Sequence, residues 1–594
     1  MSPLVHAEIH ADGQRIVIIA SGPVEDVAFM AKQLQALTPL FKPSEPKGAL
    51  LCQLTWAAVV QLSATYGPAF VPGPRLQEWI LDQASRRTTP PTGQLTVPIP
   101  DGFVPRPYQV DGALMMASTG RALIFDEPRT GKTITTILGL GELAGEGQLG
   151  GLPIIVVCPA SVVDPWVQAF RDWAPYWKTV AWRGIPKRRH GLFGHADVYV
   201  TSYDTARADA KDTNPRNSPL VALDARSLVV DECHRIKNPS AKQSLAVRRL
   251  ARNVKQFAAL SGTPITHHPA DLWPALVCLA PGAWPSRERW VPRYCSVVPT
   301  VDYGESILGL NPHSEAEFRL TILGQHRRVA RADVMDQLPP KVYSVRTVEL
   351  PAAYRKAYDD FEKNMLAELP DGQELSVMDV LSQMTLLSQL SCAAADVEVT
   401  IEHVDDGLGG VIEKRHVHVE LKNPSWKVDA LLEVLAERPG EQTVAFAVSA
   451  QLARLAGEAA AQAGLRVGYV IGGQTAKNRT ETIAAFQAGQ LDLICATTAA
   501  GGVGITLSAA GTLVFLQRPW SLVDSLQAED RAEGDMKQTR GTEIVDIVAA
   551  DTLDTRVRAV LRERAGQLSD LVQDPRIAAE LLGGASVTPI KKAS

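Results

Sequence analysis

The chain has 594 residues, of which 45% are hydrophobic and 21% charged, with a formal net charge of −5. This is a globular composition with room for several domains, and it excludes a disordered or fibrous chain. No apolar run is long enough to span a bilayer, the opening MSPLVHAEIHADG lacks the pattern of a secretory leader, and the negative balance excludes a protein that coats nucleic acid without a localised basic groove.

The first hundred residues stand apart. AEIH and RIVIIA flank Ala11-Asp12-Gly13-Gln14, a hairpin signal. Val24, Val27, Met30 and Leu34 share one face of a helix expected over 24–37. GALLCQLTW reads as a strand, with helical stretches near 57–64 and 76–84. Residues 1–100 are therefore expected to form a small α+β accessory module, either an appendage that recognises substrate or a protein partner, or a packing cap on the next lobe. TTPPTGQLTVPIPDG is the expected linker.

RALIFDEPRTGKTITT occupies 121–136. Ala122 to Phe125 read as a buried strand, and Ile134, Ile137 and Leu138 begin a helical period. Strand, polar loop and helix with Gly131-Lys132-Thr133 at the turn make a phosphate-binding pattern. Backbone N–H groups at a helix start face an anion. Lys132 adds a positive charge for phosphates, and the Thr133 hydroxyl suits Mg²⁺. Asp126 stands where a full Walker A motif has its first glycine, so Gly-Lys-Thr alone does not separate a nucleotide site from an ordinary strand-to-helix turn. Upstream, Gln109 in FVPRPYQ is spaced to reach an adenine edge.

LPIIVVCPASVV is an apolar strand whose end, with Ser161, can offer hydroxyl and N–H groups to a nucleic-acid phosphate. ADVYVTSYDTAR is a second strand with a hydroxyl-rich end at Thr201, Ser202 and Tyr203. Lys187-Arg188-Arg189-His190 between them is a solvated loop or a DNA-facing patch. SLVVDECHRIKN puts Asp231-Glu232 at a strand end, where paired acids can hold the Mg²⁺ sphere and polarise water. The next strand ends in Ser261-Gly262-Thr263-Pro264. Seven cysteines without a CxxC pair point to a reducing compartment, with neither disulfide framework nor structural zinc. Cys158 and Cys495 fall in apolar runs and are expected to be buried.

Together, Arg106-Pro-Tyr-Gln109, Asp126-Glu127 with Gly131-Lys132-Thr133, Asp231-Glu232-Cys233-His234 and LSGTPITHHPADLW resemble the Swi/Snf-type ATPases of helicase superfamily two. Arg327-Arg328 and Leu338-Pro-Pro-Lys341 resemble that family's linker region. SWKVDALLEVL, TVAFAVSAQL, the Ala496–Leu507 run through Gly504, and Gln527-Ala-Glu-Asp-Arg531 resemble its second lobe. The likeness runs from about residue 103 to 560, and the SWK wording and compact inserts resemble the HARP-related (HepA-related) annealing-helicase branch.

The resemblance implies an α/β fold of two RecA-like P-loop lobes with helical insertions, at 101–284 and 425–548. Between them an insertion and linker would span 285–424, and a brace helix with tail would span 549–594. It implies ATP and Mg²⁺ as cofactors and double-stranded or branched DNA as partner. Gln109 would read adenine, with Arg106, Asp126, Glu127, Pro128, Arg129, Thr130, Gly131 and Gly504 completing the nucleotide contacts. Lys132 and Thr133 would hold phosphates and metal, and Asp231 and Glu232 would serve metal and water. Gln527 and Arg531 would complete catalysis. Ser161, Ser202, Ser261, Thr263 and Thr497 would contact nucleic acid or couple hydrolysis to motion.

Two departures stand out: Arg129 replaces the family's glycine in the phosphate loop, and Gly534 stands at a second arginine. Either Arg531 suffices, or Lys537 or Arg540 substitutes, or hydrolysis is slow. A DNA translocase is thus expected, with a slowly hydrolysing, nucleotide-gated DNA-binding protein as the alternative. An RNA helicase is disfavoured by the Ser-Gly-Thr-Pro and Glu-Asp-Arg wording. A cytoplasmic setting, in a bacterial or phage-infected cell, is expected rather than a nuclear one. The alternating hairpin around Asp405-Asp406 is a surface ribbon or a DNA-contacting arm, and Arg556 to Leu571 reads as the brace.

Overall fold

The computed structural model describes residues 4–22, 42–44, 49–88, 93–145, 150–265, 268–299, 305–322, 324–334, 342–364, 366–368, 374–376, 380–405, 411–501, 507–530, 542–559 and 561. Two units divide the chain, Met1–Val334 and Met335–Ser594.

The first unit opens with the expected hairpin. β1 (Leu4–Ile9) and β2 (Arg15–Ser21) pair antiparallel. Asp12 Oδ1 accepts from the Gln14 and Arg15 amides at 2.9 and 3.1 Å, and Gly13 takes the left-handed φ of 69° that the turn needs. β3 (Lys42–Ser44), β4 (Ala49–Gln53) and β5 (Phe70–Pro72) complete a sheet in the order β3-β4-β2-β1-β5. Helices Trp56–Tyr66 and Pro74–Thr88 bury Val5, Ile16, Ile18, Leu62 and Leu76 with it. The helix expected over 24–37 lies outside the described residues.

This module is anchored to the rest of the first unit. Trp56 Nε1 donates to Leu320 O at 2.8 Å, and the Arg87 guanidinium lies 5.2 Å from the centroid of the Trp56 ring. The Pro-rich segment is not a free tether either. Glu142 accepts from Thr96 N, Thr96 Oγ1 and Val97 N at 2.6, 2.8 and 2.7 Å, and Val97 is buried in the next core.

Next come β6 (Arg121–Ile124), β7 (Ile154–Cys158), β8 (Thr179–Ala181), β9 (Val198–Ser202), β10 (Ser227–Asp231) and β11 (Gln256–Leu260). After an antiparallel ribbon of β12 (Cys295–Pro299) and β13 (Glu305–Leu310), β14 (His326–Arg327) joins the sheet edge. The order is β14-β6-β11-β10-β7-β9-β8, and every pairing is parallel. The inner residues of its central strands, Leu228 to Val230 and Phe257 to Leu260 among them, are apolar and buried, the pattern of a parallel sheet covered on both faces. This is the first RecA-like lobe.

In the second unit, β15 (Val342–Val348) is followed by a short ribbon, β16 (Leu366–Glu368) and β17 (Glu374–Ser376), and by a long one, β18 (Ala394–Asp405) and β19 (Val411–Lys422). β20 (Thr443–Ala447), β21 (Val467–Val470), β22 (Leu493–Thr497), β23 (Thr512–Phe515) and β24 (Glu543–Ala549) complete a parallel sheet ordered β15-β24-β23-β20-β22-β21, the second RecA-like lobe. The stretch 285–424 does not stand alone: its β14 belongs to the first sheet and its β15 to the second. The hairpin seen in the sequence is the β18–β19 ribbon, paired from Ala394↔Lys422 to Asp405↔Val411. Most of the expected brace at 556–571 lies outside the described residues. All seven cysteines, Cys158 and Cys495 among them, are buried free thiols. Among the described residues no helix is long and apolar enough to cross a membrane.

Candidate nucleotide-binding site

Three neighbouring strands bring the motifs of the first unit together. β6, β11 and β10 lie side by side and run parallel. The loop after β6, the Ser261–Pro264 turn after β11 and Asp231-Glu232 at the end of β10 therefore emerge at one sheet edge, the usual ligand position in such sheets.

The loop ends at the N-terminus of helix Lys132–Ala144, with Gly131 at the cap in the left-handed region, φ 83°. A Cβ there would come within 2.3 Å of Gln109 Nε2, so both conformation and space require glycine. Arg129, the residue in place of the family's glycine, also takes a left-handed φ of 64°. The Lys132 ammonium donates to Asp126 O and Glu127 O at 2.8 and 3.0 Å, and Thr130 Oγ1 donates to Glu127 O at 2.8 Å. Lys132 and Thr133 sit at the first helical turn, where backbone N–H groups lack intrahelical acceptors.

Gln109 is buried behind this loop. Its Oε1 accepts from the Arg106 amide at 2.9 Å, and its Nε2 donates to Thr130 O at 3.2 Å. The Tyr108 hydroxyl donates to the same carbonyl at 2.9 Å. Arg106 and Gln109 are thus fixed against the phosphate loop. Asp126 turns inward instead: its Oδ1 accepts from Arg327 Nε at 3.0 Å and the Val329 amide at 2.9 Å. Glu127 Oε1 lies 3.5 Å from Arg328 Nη2. Pro128 packs on Gly262, where a Cβ would approach its ring to 2.7 Å.

Asp231 Oδ2 accepts from the Trp166 indole at 2.8 Å, and Oδ1 from the Glu232 amide at 2.9 Å. Burial, and then the charge of Glu232, push the Asp231 carboxyl up to about 6 against the pull of Trp166 and Lys132. The Tyr203 hydroxyl lies 2.6 Å from Asp231 O. Glu232 adopts a left-handed φ of 50°. His234 Nδ1 sits 3.3 Å from Glu232 Oε2 and 3.1 Å from Ser261 Oγ, and Ser261 Oγ accepts from the Thr263 amide at 3.1 Å. One polar line therefore runs from Glu232 through His234 and Ser261 to Thr263.

The donor set fits a magnesium nucleotide. The hydroxyl of Thr133 and the carboxylate of Asp231 are hard oxygen ligands, and the helix Lys132–Ala144 begins beside them with the N–H groups of its first turn.

Other residues fall differently. Ser161 is exposed in the turn Ala160–Val162. Ser202 caps helix Tyr203–Asp209, accepting from the Thr205 amide at 3.3 Å, and Thr201 is buried. Within the basic run, Arg189 is buried and its Nη2 donates to Asp209 Oδ1 at 2.7 Å, so that arginine belongs to the core. In the second unit, Thr497 is buried at the end of β22, and Gln527 lies half-buried on helix Leu522–Asp530. Gly504, Arg531, Gly534, Lys537 and Arg540 lie outside the described residues.

Sequence reasoning missed the supports of these motifs. Arg518 ties the Gln527 helix to β24, with Nε 2.6 Å from Asp546 Oδ1 and Nη1 bonded to Ser525 Oγ at 2.8 Å and to Glu529. Lys427, the lysine of SWK, is fully buried 2.6 Å from Asp554 Oδ2 and donates to Leu516 O at 2.7 Å. Trp166 had no signal beyond its place in a strongly amphipathic helix, Val163–Trp173.

Comparison with known proteins gives the family of the chain. The profile of the SNF2-related domain matches residues 30–395, and that of the helicase conserved C-terminal domain matches 426–533. The chain is 25% identical to the TATA-binding protein-associated factor mot1 of Aspergillus fumigatus, over 79% of this chain and 27% of that one. It is 25% identical to the nuclear protein STH1/NPS1 of Saccharomyces cerevisiae (78% and 34%). With Protein CHROMATIN REMODELING 5 of Arabidopsis thaliana the identity is 26% (72% and 25%). The chain thus spans about a quarter to a third of the length of these curated relatives. The Sulfolobus solfataricus SWI2/SNF2 ATPase core in complex with dsDNA is 21% identical, covering 82% of this chain and 97% of that one, with a TM-score of 0.37. The cytoplasmic bacterial or phage setting expected from the sequence is corrected here, because these curated relatives are eukaryotic and one is named a nuclear protein. With the SNF2-related profile matched across 30–395, more than half of the 594 residues, the chain belongs to the SNF2-related family of helicase-type ATPases.

Proposed function

We propose that the chain is a DNA-dependent ATPase that converts hydrolysis of ATP to ADP and phosphate into movement along duplex DNA. The observation that carries this is the meeting of the phosphate loop, Asp231-Glu232 and the Ser261–Thr263 turn at the ends of three adjacent parallel strands.

Thr133 and Asp231 would hold a magnesium ion bound with the nucleotide, and its charge would offset the negative charge that develops on the phosphates. The residues of the chain supply the rest. The loop amides and the Lys132 ammonium, released from Asp126 O and Glu127 O, bind phosphate. Glu232 would orient the attacking water and take its proton. Gln109 and Arg106 set the base side of the site. Gln527 and Arg531 stand as further catalytic residues, the exposed Ser161 as a contact to nucleic acid, and the buried Thr497 as a residue that couples hydrolysis to motion. Relatives named for TATA-binding-protein association and chromatin remodelling draw the proposal toward DNA that carries bound protein.

The test is turnover of the full chain with duplex DNA, forked DNA, single-stranded DNA, RNA and no nucleic acid. Duplex-stimulated hydrolysis that falls steeply with salt is expected, since contacts to the phosphate backbone dominate such binding. Equal turnover without nucleic acid refutes the proposal. A slowly hydrolysing, nucleotide-gated binder is the second possibility, favoured by Gly534 at the position of an arginine. An arginine finger is worth about 10³–10⁵ in rate, so a large gain in Gly534→Arg selects that possibility and no gain selects the translocase.

A further inference from the structure

The segment 325–329 is bound along β6 and into the start of the phosphate loop. Leu123 N donates to Gln325 O at 2.7 Å, Phe125 N to Arg327 O at 2.9 Å and Glu127 N to Val329 O at 3.0 Å. The parallel ladder of β6 and β14 thus continues past the end of β6 into the loop itself. Two adjacent side chains extend it sideways. Arg327 Nε donates to Asp126 Oδ1 at 3.0 Å, and its Nη1 to Tyr108 O at 2.9 Å. Arg328 Nη1 donates to Phe125 O at 3.0 Å and to Gly262 O at 3.3 Å. Two guanidiniums therefore join the Gln109 helix, the phosphate loop and the Ser261–Thr263 turn.

The fold gives up a side chain to admit them. Gly112 lies inside helix Pro107–Thr119, and a Cβ there would come within 2.3 Å of Arg327 Nη1 and 2.6 Å of Thr135 Cγ2. Glycine is a poor residue in a helix interior, and here it makes the space that the guanidinium fills. Arg328 addresses two carbonyls through Nη1 while its Nη2 faces Glu127, a division of donors that the planar guanidinium allows.

We propose that Arg327 and Arg328 are positioning residues for hydrolysis: a clip that fixes the phosphate loop relative to the Ser261–Thr263 turn. Neither lies among the groups assigned to phosphate, metal or water. Arg328 holds Phe125 and Gly262 by their carbonyls and leaves the amides of the first helical turn free for phosphate. Its loss therefore lets the Glu232–His234–Ser261 line drift from the loop while nucleotide still binds. The chain leaves the first unit at Val334, only a few residues after the clip.

The inference rests on the ATPase proposal, so the full-length wild type is measured first with ATP and duplex DNA. The variants are Arg328→Gln, Arg328→Lys, and Gly112→Ala, which displaces Arg327 while keeping both arginines. The readouts are kcat, KM for ATP, affinity for a fluorescent ATP analogue, and melting temperature. In Arg328→Gln, kcat is expected to fall about tenfold or more, since small misplacements of reacting groups are costly. KM and affinity should stay within about threefold and melting within a few degrees. Gly112→Ala should show the same selective loss, and Arg328→Lys a smaller one. Wild-type kcat in the folded variants overturns the clip, as does a rise in KM matching the fall in kcat. If Arg328→Gln does not fold, the other two variants decide by the same criteria. A wild type that does not hydrolyse ATP removes the ATPase proposal and the clip together, whereas an active wild type matched by its variants removes the clip alone.

Discussion

His234 Nδ1 stands 3.1 Å from Ser261 Oγ, which links the acidic pair at the end of β10 to the turn after β11. The same nitrogen is 3.3 Å from Glu232 Oε2, so the imidazole holds the orientation of the residue assigned to water. His234→Ala should therefore keep nucleotide affinity while kcat falls on the order of tenfold, a loss of orientation rather than of binding. Ser261→Ala should do the same. The double variant should lose little more than either single one, because both cut one line. Additive losses in a steady-state double-mutant cycle would show that the two residues act separately.

Lys132 and Glu232 should separate binding from chemistry. Lys132 is the ammonium nearest the loop carbonyls, at 2.8 Å from Asp126 O. Its replacement by Ala removes a charge that serves both ground state and transition state, so KM should rise and kcat fall, together on the order of 10² in kcat/KM or more. Glu232→Gln removes only the base. It should bind nucleotide as tightly as the wild type and turn it over at least about 10²-fold more slowly. A fluorescent-nucleotide titration beside an ATPase assay checks both.

Much of this site was legible in order and spacing. Lys132, Thr133, Asp231, Glu232 and Ser261 lie at the strand ends where their motifs place them in sequence, because a parallel sheet sends strand ends to one edge whatever the chain between them does, whereas the Gln109 amide, expected at an adenine edge, is buried against Thr130 O. The supports were not legible. Asp126 reads as a phosphate-loop residue, yet its carboxylate faces Arg327, 201 positions away in sequence. Ser202 reads as a residue that contacts nucleic acid or couples hydrolysis to motion, and Arg189 as part of a solvated or DNA-facing run, yet they act as helix cap and buried ion pair. Each depends on a partner that only the folded chain brings near, and neither residue type nor periodicity encodes it. The Pro-rich linker misled for the same reason, since its turn chemistry does not reveal that Glu142 holds Thr96 and Val97.

Arg129 carries a testable strain. Its φ of 64° belongs to the region that glycine enters freely and other residues enter at about 1–2 kcal/mol. Arg129→Gly removes that cost but loosens the unfolded chain, by up to about 1 kcal/mol. The net effect on melting should therefore be small and stabilising at most. Arg129→Val keeps a Cβ and adds branching, the worst case at positive φ. The expected order of melting temperature is Gly at or above Arg, with Val lowest. A Val variant that melts with the wild type would mean that the loop relaxes out of the left-handed region.

His326 predicts acid sensitivity in the first unit. Its ring lies 5.4 Å from that of Phe125. Burial, then the charges of Arg328 and Arg319, hold the imidazole down at about 4, against 6.5 for the free side chain. The unfolded chain thus takes up the proton first as pH falls. Stability is unaffected above about 6.5, declines between there and about 4, and levels off below, with a ceiling of about 3 kcal/mol. His326→Phe keeps an edge-on aromatic contact with Phe125 and cannot protonate. Denaturant melts from pH 7 to pH 4 should show the wild type losing stability relative to this variant in that window, and parallel curves would disprove the assignment.

The second unit offers a buried charge pair whose halves should not be separable. Lys427 has no exposed side-chain surface and Asp554 only 14%, with 2.6 Å between ammonium and carboxylate. Burial alone would pull the lysine down, but Asp554 holds it above its ordinary value, so it stays charged. The carboxylate is bound further by the Ala549 amide at 3.1 Å and the Ser391 hydroxyl at 3.3 Å. Removing the lysine alone, as in Lys427→Met, leaves that carboxylate buried without its cation and should cost about 3–5 kcal/mol. Adding Asp554→Leu removes the orphaned charge along with its reason for being paired. Because a well-packed apolar pair is often no worse than a buried ion pair, the double variant should recover a large part of the loss, although Leu516 O and the Ala549 amide lose partners in it. Chemical denaturation of the two single variants and the double variant measures the coupling directly. A double variant as unstable as the sum of the singles would mean that Lys427 and Asp554 stabilise the fold through their other bonds and not through each other.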